Sequence, residues 1–352
     1  ADGTKRYIYD NTTSTLTGYT DYAAVDVAFI DGYFLFSVSG TDRFYLTSSY
    51  DGTTVDSGDF ETAEGSPDKI VSLISDRREL FLFGEESLEV WYDSGDADNI
   101  FQRFQGGFNQ TGCAAAGSPA RFDNSIIWLS KNERGHGQVV RLAEGYQAKI
   151  ISTAEIDYQI STYSTISDAF SYVYQKEGHE FYVLTFPTQK VTWVYDASTQ
   201  EWHTRGHVID DVFPNRERFN CYTFAHGKHL LGDMNNGKVY YLDSDTGTMD
   251  GTPIPRVRTT ANISNEENRM RISSFQVDME EGTGDPNSST DKTFWLSYSK
   301  DGGHTWSDEV SRSIGDAGEY DTRLIWRRLG HARNWIFRVR TWTPNKVIIK
   351  GA

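Results

Sequence analysis

The chain has 352 residues, with 34 Lys and Arg against 50 Asp and Glu, a formal net charge of −16 and 14% aromatic residues. That length supplies one large hydrophobic core or two ordinary ones. No apolar run reaches the roughly 18 residues that cross a bilayer as a helix, no cleavable leader pattern is present, and the acidic balance disfavours a surface made to grip phosphates.

Gly is abundant (31) and Pro scarce (8), and short apolar runs alternate with Gly, Asp, Asn and Ser clusters. This pattern predicts many short antiparallel strands. An aromatic strand ending in an acid recurs: Tyr7-Ile8-Tyr9-Asp10, Val90-Trp91-Tyr92-Asp93, Trp193-Val194-Tyr195-Asp196 and Tyr240-Tyr241-Leu242-Asp243, with weaker instances at Tyr50-Asp51 and Leu142-Ala143-Glu144. The acids at 10, 51, 93, 144, 196 and 243 are read as the ends of successive units. A strand-built period of about 40 to 50 residues predicts a propeller, in which four-stranded sheets cover one another's faces. Five to six such units are expected, the first truncated to its last strand, as in a fragment or processed chain. A large irregular β-sandwich is the competing architecture.

Tight turns punctuate the units, as at Asp31-Gly32 after Val27-Ala28-Phe29-Ile30 and at His226-Gly227 after Tyr222 to Ala225. One helix is expected, from Ser152 to Tyr163, with Ser152 and Glu155 at capping-box spacing and Ile156, Ile160 and Tyr163 on one face. After Asp243 the rhythm breaks. The turn-rich stretch Asp245 to Pro255 leads into longer alternating strands at Arg269–Met279, Thr293–Ser299, Arg323–Leu329, Trp335–Trp342 and Val347–Lys350. The domains are therefore read as a β-propeller-like domain over 1–250 and a C-terminal β-sandwich over 251–352. The acidic stretch Asp278 to Asp291 reads as a solvated hairpin tip.

Chemistry-bearing motifs are few. Ser299, Asp301, Gly303, Thr305 and Trp306 fit an Asp box, in which the carboxylate accepts backbone N–H groups, Gly allows the reversal and Trp plugs the sheet. A buried Trp306 would cost about 3 kcal/mol or more to truncate. The box recurs in sialidases, but here one full copy lies outside the repeats, and Ser49-Tyr50-Asp51-Gly52 is half of another. Fifty acids, mostly in turns, select no catalytic pair. His226 and His229 flank a hairpin tip without a third metal ligand nearby, and Cys113 and Cys221 show no zinc or disulfide spacing and read as reduced core thiols. No cofactor or metal is expected. Six arginines, Arg323, Arg327, Arg328, Arg333, Arg338 and Arg340, occur without an acid among them, leaving 28 bases to 50 acids elsewhere. An arginine-rich strand pair on an acidic molecule is a candidate subunit contact; a solvated face with local salt bridges and, third, a DNA-facing patch are the alternatives.

Three stretches in order then carry a resemblance: Gly40-Thr41-Asp42-Arg43-Phe44-Tyr45-Leu46-Thr47, the strand from Phe83-Gly84 through Ser87-Leu88-Glu89-Val90-Trp91, and Leu324-Ile325-Trp326-Arg327-Arg328-Leu329-Gly330 with Phe337-Arg338-Val339-Arg340. Together they resemble the packaged-DNA stabilisation protein family, the tail hub of short-tailed bacteriophages, from about Lys5 to the C-terminus. The resemblance implies members longer at the N-terminus by roughly two blades. It implies a non-enzymatic virion component assembled in the host bacterial cytoplasm, a hexameric ring in the tail, below the portal and its adaptor proteins. That ring would close the portal channel, retain packaged DNA and hold the tail needle, with fibres or spikes nearby. No catalytic residue carries over, and the basic strand at Arg327 and Arg328 matches the family's own. An acidic conduit suits DNA that must pass without tight binding. The alternative is a glycan-binding or sialidase-like glycoside hydrolase propeller; a host-receptor-binding domain is a third reading.

Overall fold

Two-residue hairpin tips set the rhythm of the structure, a computed structural model that describes residues 3–351 apart from 64, 67, 98, 132–136, 210–211, 267, 283–291 and 345–346. The hairpin β1 (Arg6–Asp10) and β2 (Thr15–Tyr19) comes first. Two four-stranded meanders follow, β3 (Ala24–Ile30), β4 (Tyr33–Val38), β5 (Arg43–Leu46) and β6 (Phe60–Thr62), then β7 (Ile70–Asp76), β8 (Glu79–Gly84), β9 (Leu88–Asp93) and β10 (Phe101–Arg103). The next sheet holds β11 (Gly112–Cys113), β12 (Ala120–Phe122), β13 (Ser125–Lys131), β14 (Gly137–Leu142) and β15 (Ala148–Ile150), and the helix α1 (Ala154–Ser161) comes after it. A further meander is β16 (Phe170–Lys176), β17 (His179–Phe186), β18 (Val191–Asp196) and β19 (Glu201–Arg205). The small hairpin β20 (His207–Ile209) and β21 (Val212–Asn215) precedes the three-stranded sheet β22 (Phe219–Ala225), β23 (Lys228–Asp233) and β24 (Val239–Tyr241).

The first long hairpin of each unit turns through two residues that both have positive φ: Asp31-Gly32, Arg77-Arg78, Asp123-Asn124, Glu177-Gly178 and His226-Gly227. This is the backbone of a type I′ turn, the one whose twist matches two paired strands. Four of the five place Gly or Asn second, where the left-handed conformation is cheapest. Arg77 (φ 48°) and Arg78 (φ 66°) are the exception, and a non-glycine residue held there costs about 1–2 kcal/mol.

The sequence places the aromatic strands ending in an acid at the close of each unit; the one before Asp243, β24, is the last of its sheet, but three others are penultimate. Asp10, Asp93 and Asp196 end β1, β9 and β18, and each is followed by a last strand, β2, β10 and β19. The acid instead caps the turn between them. Asp10 accepts from Thr12 N and Thr13 Oγ1, Asp51 from Thr53 N and from the Thr53 and Thr54 hydroxyls, Asp93 from Gly95 N, and Asp196 from Ser198 N and Thr199 Oγ1. Asp243, after β24, does the same with Asp245 N and Thr246 Oγ1. A short side chain that mimics a backbone acceptor two residues back is what an Asx turn requires.

Because the strands alternate, each inner sheet is apolar on both faces. In β8, Leu80 and Leu82 pack toward β3–β6 with Ala28, Ile30, Leu35 and Phe44, while Phe81 and Phe83 pack toward β11–β15 with Ile126, Trp128 and Val140. Opposite parity on β13 sends Ile127 and Leu129 against Tyr182, Leu184 and Phe186 of β17. Sheets stacked face to face in chain order are the arrangement of a propeller. Buried Ile156 and Ile160 of α1 join that last core. The helix is capped by Thr153, whose Oγ1 accepts from Ile156 N, rather than by Ser152, which bonds Asp157 instead.

Residues 1–222 with 233–237 form one compact unit and residues 223–232 with 238–352 a second. The second contains the small hairpin β25 (Thr248–Met249) and β26 (Thr252–Pro253), then β27 (Arg256–Thr259), β28 (Ile263–Ser264), β29 (Met270–Met279), β30 (Thr293–Ser299), β31 (Val310–Ser313), β32 (Leu324–Ala332), β33 (Asn334–Thr341) and β34 (Ile349–Gly351). One sheet runs β27-β33-β30-β31, with β28 also pairing β33, and the other β32-β29-β34. Their inner faces share a core of Val277, Leu324 and Trp326 from one sheet and Phe294, Leu296, Trp335 and Phe337 from the other, the interior of a sandwich. Residues 283–291, most of the acidic stretch, lie outside the described residues.

Candidate docking surfaces

Three neighbouring type I′ tips are tied together by arginines. Arg78 Nε donates to both carboxylate oxygens of Asp31 at 3.1 and 3.2 Å, on the tip before it. Arg77 Nη2 donates to the Asn124 carbonyl at 2.7 Å, on the tip after it. Arg121 reaches back, its Nε donating to the Ser75 carbonyl at 2.6 Å and lying 3.7 Å from Asp76. Arg141 closes the series with a 2.7 Å ion pair to Asp123. The side chains of Arg77, Arg78 and Arg121 remain 61%, 79% and 59% exposed, so each ion pair contributes at most about 1 kcal/mol. Together with Phe29, Ile30, Asp31, Ser75 and Asp76 they line a cleft of about 300 Å³. Phe29 is half exposed and packs its ring 4.9 Å from that of Phe34.

A second ionisable cluster lies largely inside the fold. Tyr172 donates to Glu217 at 2.6 Å, Glu217 N donates to Thr192 Oγ1 at 3.0 Å, and Arg205 bonds the Tyr174 hydroxyl while lying 3.9 Å from Glu217. Burial, reinforced by the Glu217 carboxylate, holds the Tyr172 phenol well above its ordinary pKa. With Tyr172 and Glu217 both buried, these two groups satisfy one another inside the fold, and Arg205, 25% exposed, flanks them.

The six arginines singled out by the sequence are divided by the sandwich. β32 and β33 are consecutive strands but not partners: β32 pairs β29, and β33 pairs β30 and β27. Arg323, Arg327, Arg328 and Arg333 are exposed, with Arg327 and Arg328 at a bulge in β32 where Arg328 takes φ 65°. Arg338 and Arg340 point outward from the other sheet and are half buried; Arg338 lies 3.5 Å over the Trp306 ring, and Arg340 lies 4.8 Å over Trp342 and 2.5 Å from Glu309. The strand pair expected to be a single arginine-rich face is thus two faces, because the connection Ala332–Asn334 crosses from one sheet to the other.

The Asp box caps the hairpin between β30 and β31. Asp301 accepts from Thr305 N at 2.9 Å, Thr305 Oγ1 at 2.6 Å and Ser299 Oγ at 2.7 Å, and Gly303 N donates to Ser299 Oγ. The Thr305 hydroxyl, then its amide, hold the Asp301 carboxyl well below the usual carboxylate range. Trp306 donates to the Gly303 carbonyl but is only half buried, the guanidinium of Arg338 covering one face. Cys113 is buried, whereas Cys221 is exposed on β22, unlike the core thiol expected there. His226 is exposed and His229 packs on Phe224; among the described residues no cluster of metal-binding side chains is found. Sequence reasoning missed the Arg77-Arg78 tip, since two adjacent arginines carry none of the Gly or Asn signal by which the neighbouring tips are recognised.

The family described as bacteriophage P22 Gp10, β-propeller, matches residues 1–247, and bacteriophage P22 Gp10, β-sandwich, matches residues 255–352. The tail hub protein gp10 of Salmonella phage P22 is 24% identical over 366 aligned positions, which cover 98% of this chain and 75% of that protein. Among solved structures, the extracellular domain of a one-component system of B. thetaiotaomicron is similar with a TM-score of 0.41, at 14% identity over 76% of this chain and 33% of that one. Hsv2p of Kluyveromyces lactis is similar with a TM-score of 0.38, at 10% identity over 66% of this chain and 67% of its own.

Proposed function

The chain belongs to the bacteriophage P22 Gp10 family, and from that premise we propose that it is the hub of a short phage tail, a structural and non-enzymatic part of the virion. The observation that carries the reading is the order of the two family matches, propeller over 1–247 and sandwich over 255–352, which together take in nearly the whole chain. In this role copies of the chain form a hexameric ring in the tail, assembled in the host cytoplasm, that docks to portal-adaptor proteins on one side and to the tail needle and fibres or spikes on the other. It closes the channel behind packaged DNA. The net charge of −16 fits a conduit along which DNA slides, because tight phosphate binding needs clustered cations that release counterions. The exposed arginines of β32 and the half-buried Arg338 and Arg340 of β33 are then separate candidate contacts between subunits or with neighbours.

Support for a structural role also comes from the ionisable groups: Tyr172 and Glu217 are buried and bonded to each other beside Arg205, and the Asp301 carboxylate accepts bonds from Ser299 and Thr305 within its own hairpin. Neither is placed to cleave a glycan. The test is a phage carrying a nonsense mutation in the gene for this protein. Particles grown without the protein are expected to leak their DNA and to lack tail appendages by negative stain, and adding back the purified full-length protein is expected to restore both. Particles that keep their DNA and infect normally would overturn the hub reading.

A further inference from the structure

We propose that the cleft between the hairpin tips at Asp31, Arg77 and Arg121 binds a carboxylate-bearing segment of a partner protein, an acidic side chain next to an apolar one. The proposal deepens the docking role above and rests on it for the existence of a partner, while the chemistry rests on the cleft.

The tip itself is the first observation. Among the described residues every other type I′ tip carries Gly or Asn at its second position, and there this one alone places long, charged side chains in both left-handed positions. The turn would be better served by Asn-Gly. Ion pairing to Asp31 does not account for the choice, because Arg78 is 79% exposed in that pair and exposed pairs contribute little. Strain kept at a site that the fold does not need is a mark of function.

The second observation is what the cleft offers. Three guanidiniums, Arg77, Arg78 and Arg121, face two carboxylates, Asp31 and Asp76, across about 300 Å³, which leaves one positive charge uncompensated. One more carboxylate matches that charge, and the planar fork of an arginine receives it through two parallel hydrogen bonds. A phosphate chain fits less well, since its neighbouring charges reach past the cleft to a molecule carrying −16, within a screening length of about 8 Å. The third observation is Phe29, half exposed on the wall of the same cleft and backed by Phe34. Arginine beside an exposed aromatic is the composition of protein-interface hot spots.

The test uses the full chain and a fluorescein-labelled octapeptide alternating Glu and Leu, read by fluorescence anisotropy, with the Lys-Leu octapeptide, inorganic phosphate and a short DNA duplex as comparisons. The Glu-Leu peptide is expected to bind and the Lys-Leu peptide not to. The double variant Arg77→Asn with Arg78→Gly, which gives the turn its preferred residues, is expected to bind at least tenfold more weakly, as loss of charge-assisted pairs implies, while its melting temperature holds or rises. Phe29→Ser is expected to weaken binding without altering the preference for Glu over Lys. A double variant that melts earlier and binds the peptide as well as the parent overturns the proposal, showing the arginines to be braces between tips. Phosphate or DNA displacing the peptide at equal or lower concentration overturns it as well, in favour of a phosphate ligand. Peptide binding that survives in a protein whose absence leaves phage particles intact would sink the hub reading and leave the site standing.

Discussion

Arg6 places its guanidinium 2.7 Å from the Asp21 carboxylate, and the same group lies 4.5 Å from the Tyr19 ring centre, 5.6 Å from that of Phe36, and donates to the carbonyls of Gly52 and Thr53. A charge only 7% exposed therefore pins the hairpin β1–β2 to the sheet β3–β6. Replacing Arg6 with Ala removes four hydrogen bonds and the ring contacts but leaves Asp21 half exposed and able to rehydrate. The expected loss is about 2 kcal/mol, below that of a fully buried pair. Hydrogen exchange should quicken first in residues 6–19; uniform exchange across the sheet and an unchanged melting temperature would refute the clamp.

Acid should destabilise the turns before it reaches the cores. The Asp51 carboxyl is held down at about 2 by the hydroxyls of Thr53 and Thr54 and the Thr53 amide, and Asp10 is lowered chiefly by Thr13 and Asp21 chiefly by Arg6. A carboxyl with a depressed folded pKa stabilises the fold above its unfolded pKa, near 3.9, and that contribution fades as pH falls through the folded value. The melting temperature is expected to drop between about pH 4 and pH 2, and Asp51→Asn to drop less over the same window. A flat profile, or an unchanged slope in the variant, would count against the cap.

Truncating Trp306 to Ala is expected to cost about 1–2 kcal/mol, from half a buried indole and one cation–π contact, and not the larger loss expected of an indole plugged into the core. Thermal unfolding of the variant measures it. A loss above twice that range would show the ring to be core.

Arg78→Gly alone should stabilise the fold by about 1 kcal/mol, since relief of left-handed strain exceeds the exposed pair to Asp31 that is lost. Chemical denaturation with an unchanged m-value is the readout; a lower midpoint would mean the brace outweighs the strain.

The two thiols should differ sharply. Cys113 is buried and burial pushes its pKa up to about 11, while Cys221 is exposed. An aromatic disulfide reagent at pH 8 is expected to titrate one thiol in the native protein and the second only on unfolding. Two fast-reacting thiols would place Cys113 wrongly.

Much of this fold is legible in the residues because the repeat is written in side chains with local jobs. The aspartate after each aromatic strand is visible since it must cap its own turn, but pairing partners are not local, so Asp93 and Asp196 read as ends when they stand one strand earlier. Asp31-Gly32 and His226-Gly227 announce their tips through glycine; Arg77-Arg78 does not, and neither do the links it makes to Asp31 and Asn124, 47 residues away on either side. The Asp301 carboxylate accepting a backbone N–H was readable because its partners fall between Ser299 and Trp306, whereas the half burial of Trp306 was not, since Arg338, which covers it, lies on another strand. The arginines of the C-terminal strands were not, for no periodicity reveals that Ala332–Asn334 carries the chain from one layer to the next.

β3 buries Ala24, Ala28 and Ile30 on one side and leaves Val27 and Phe29 open on the other, beside the similarly open Phe34 of β4. A strand dressed in hydrocarbon front and back is ill-suited to life in dilute buffer. Handled by itself, this polypeptide will carry an adhesive flank, and its yield, shelf life and tendency to clump should respond to mild detergent more than to salt, despite a surface so rich in charge.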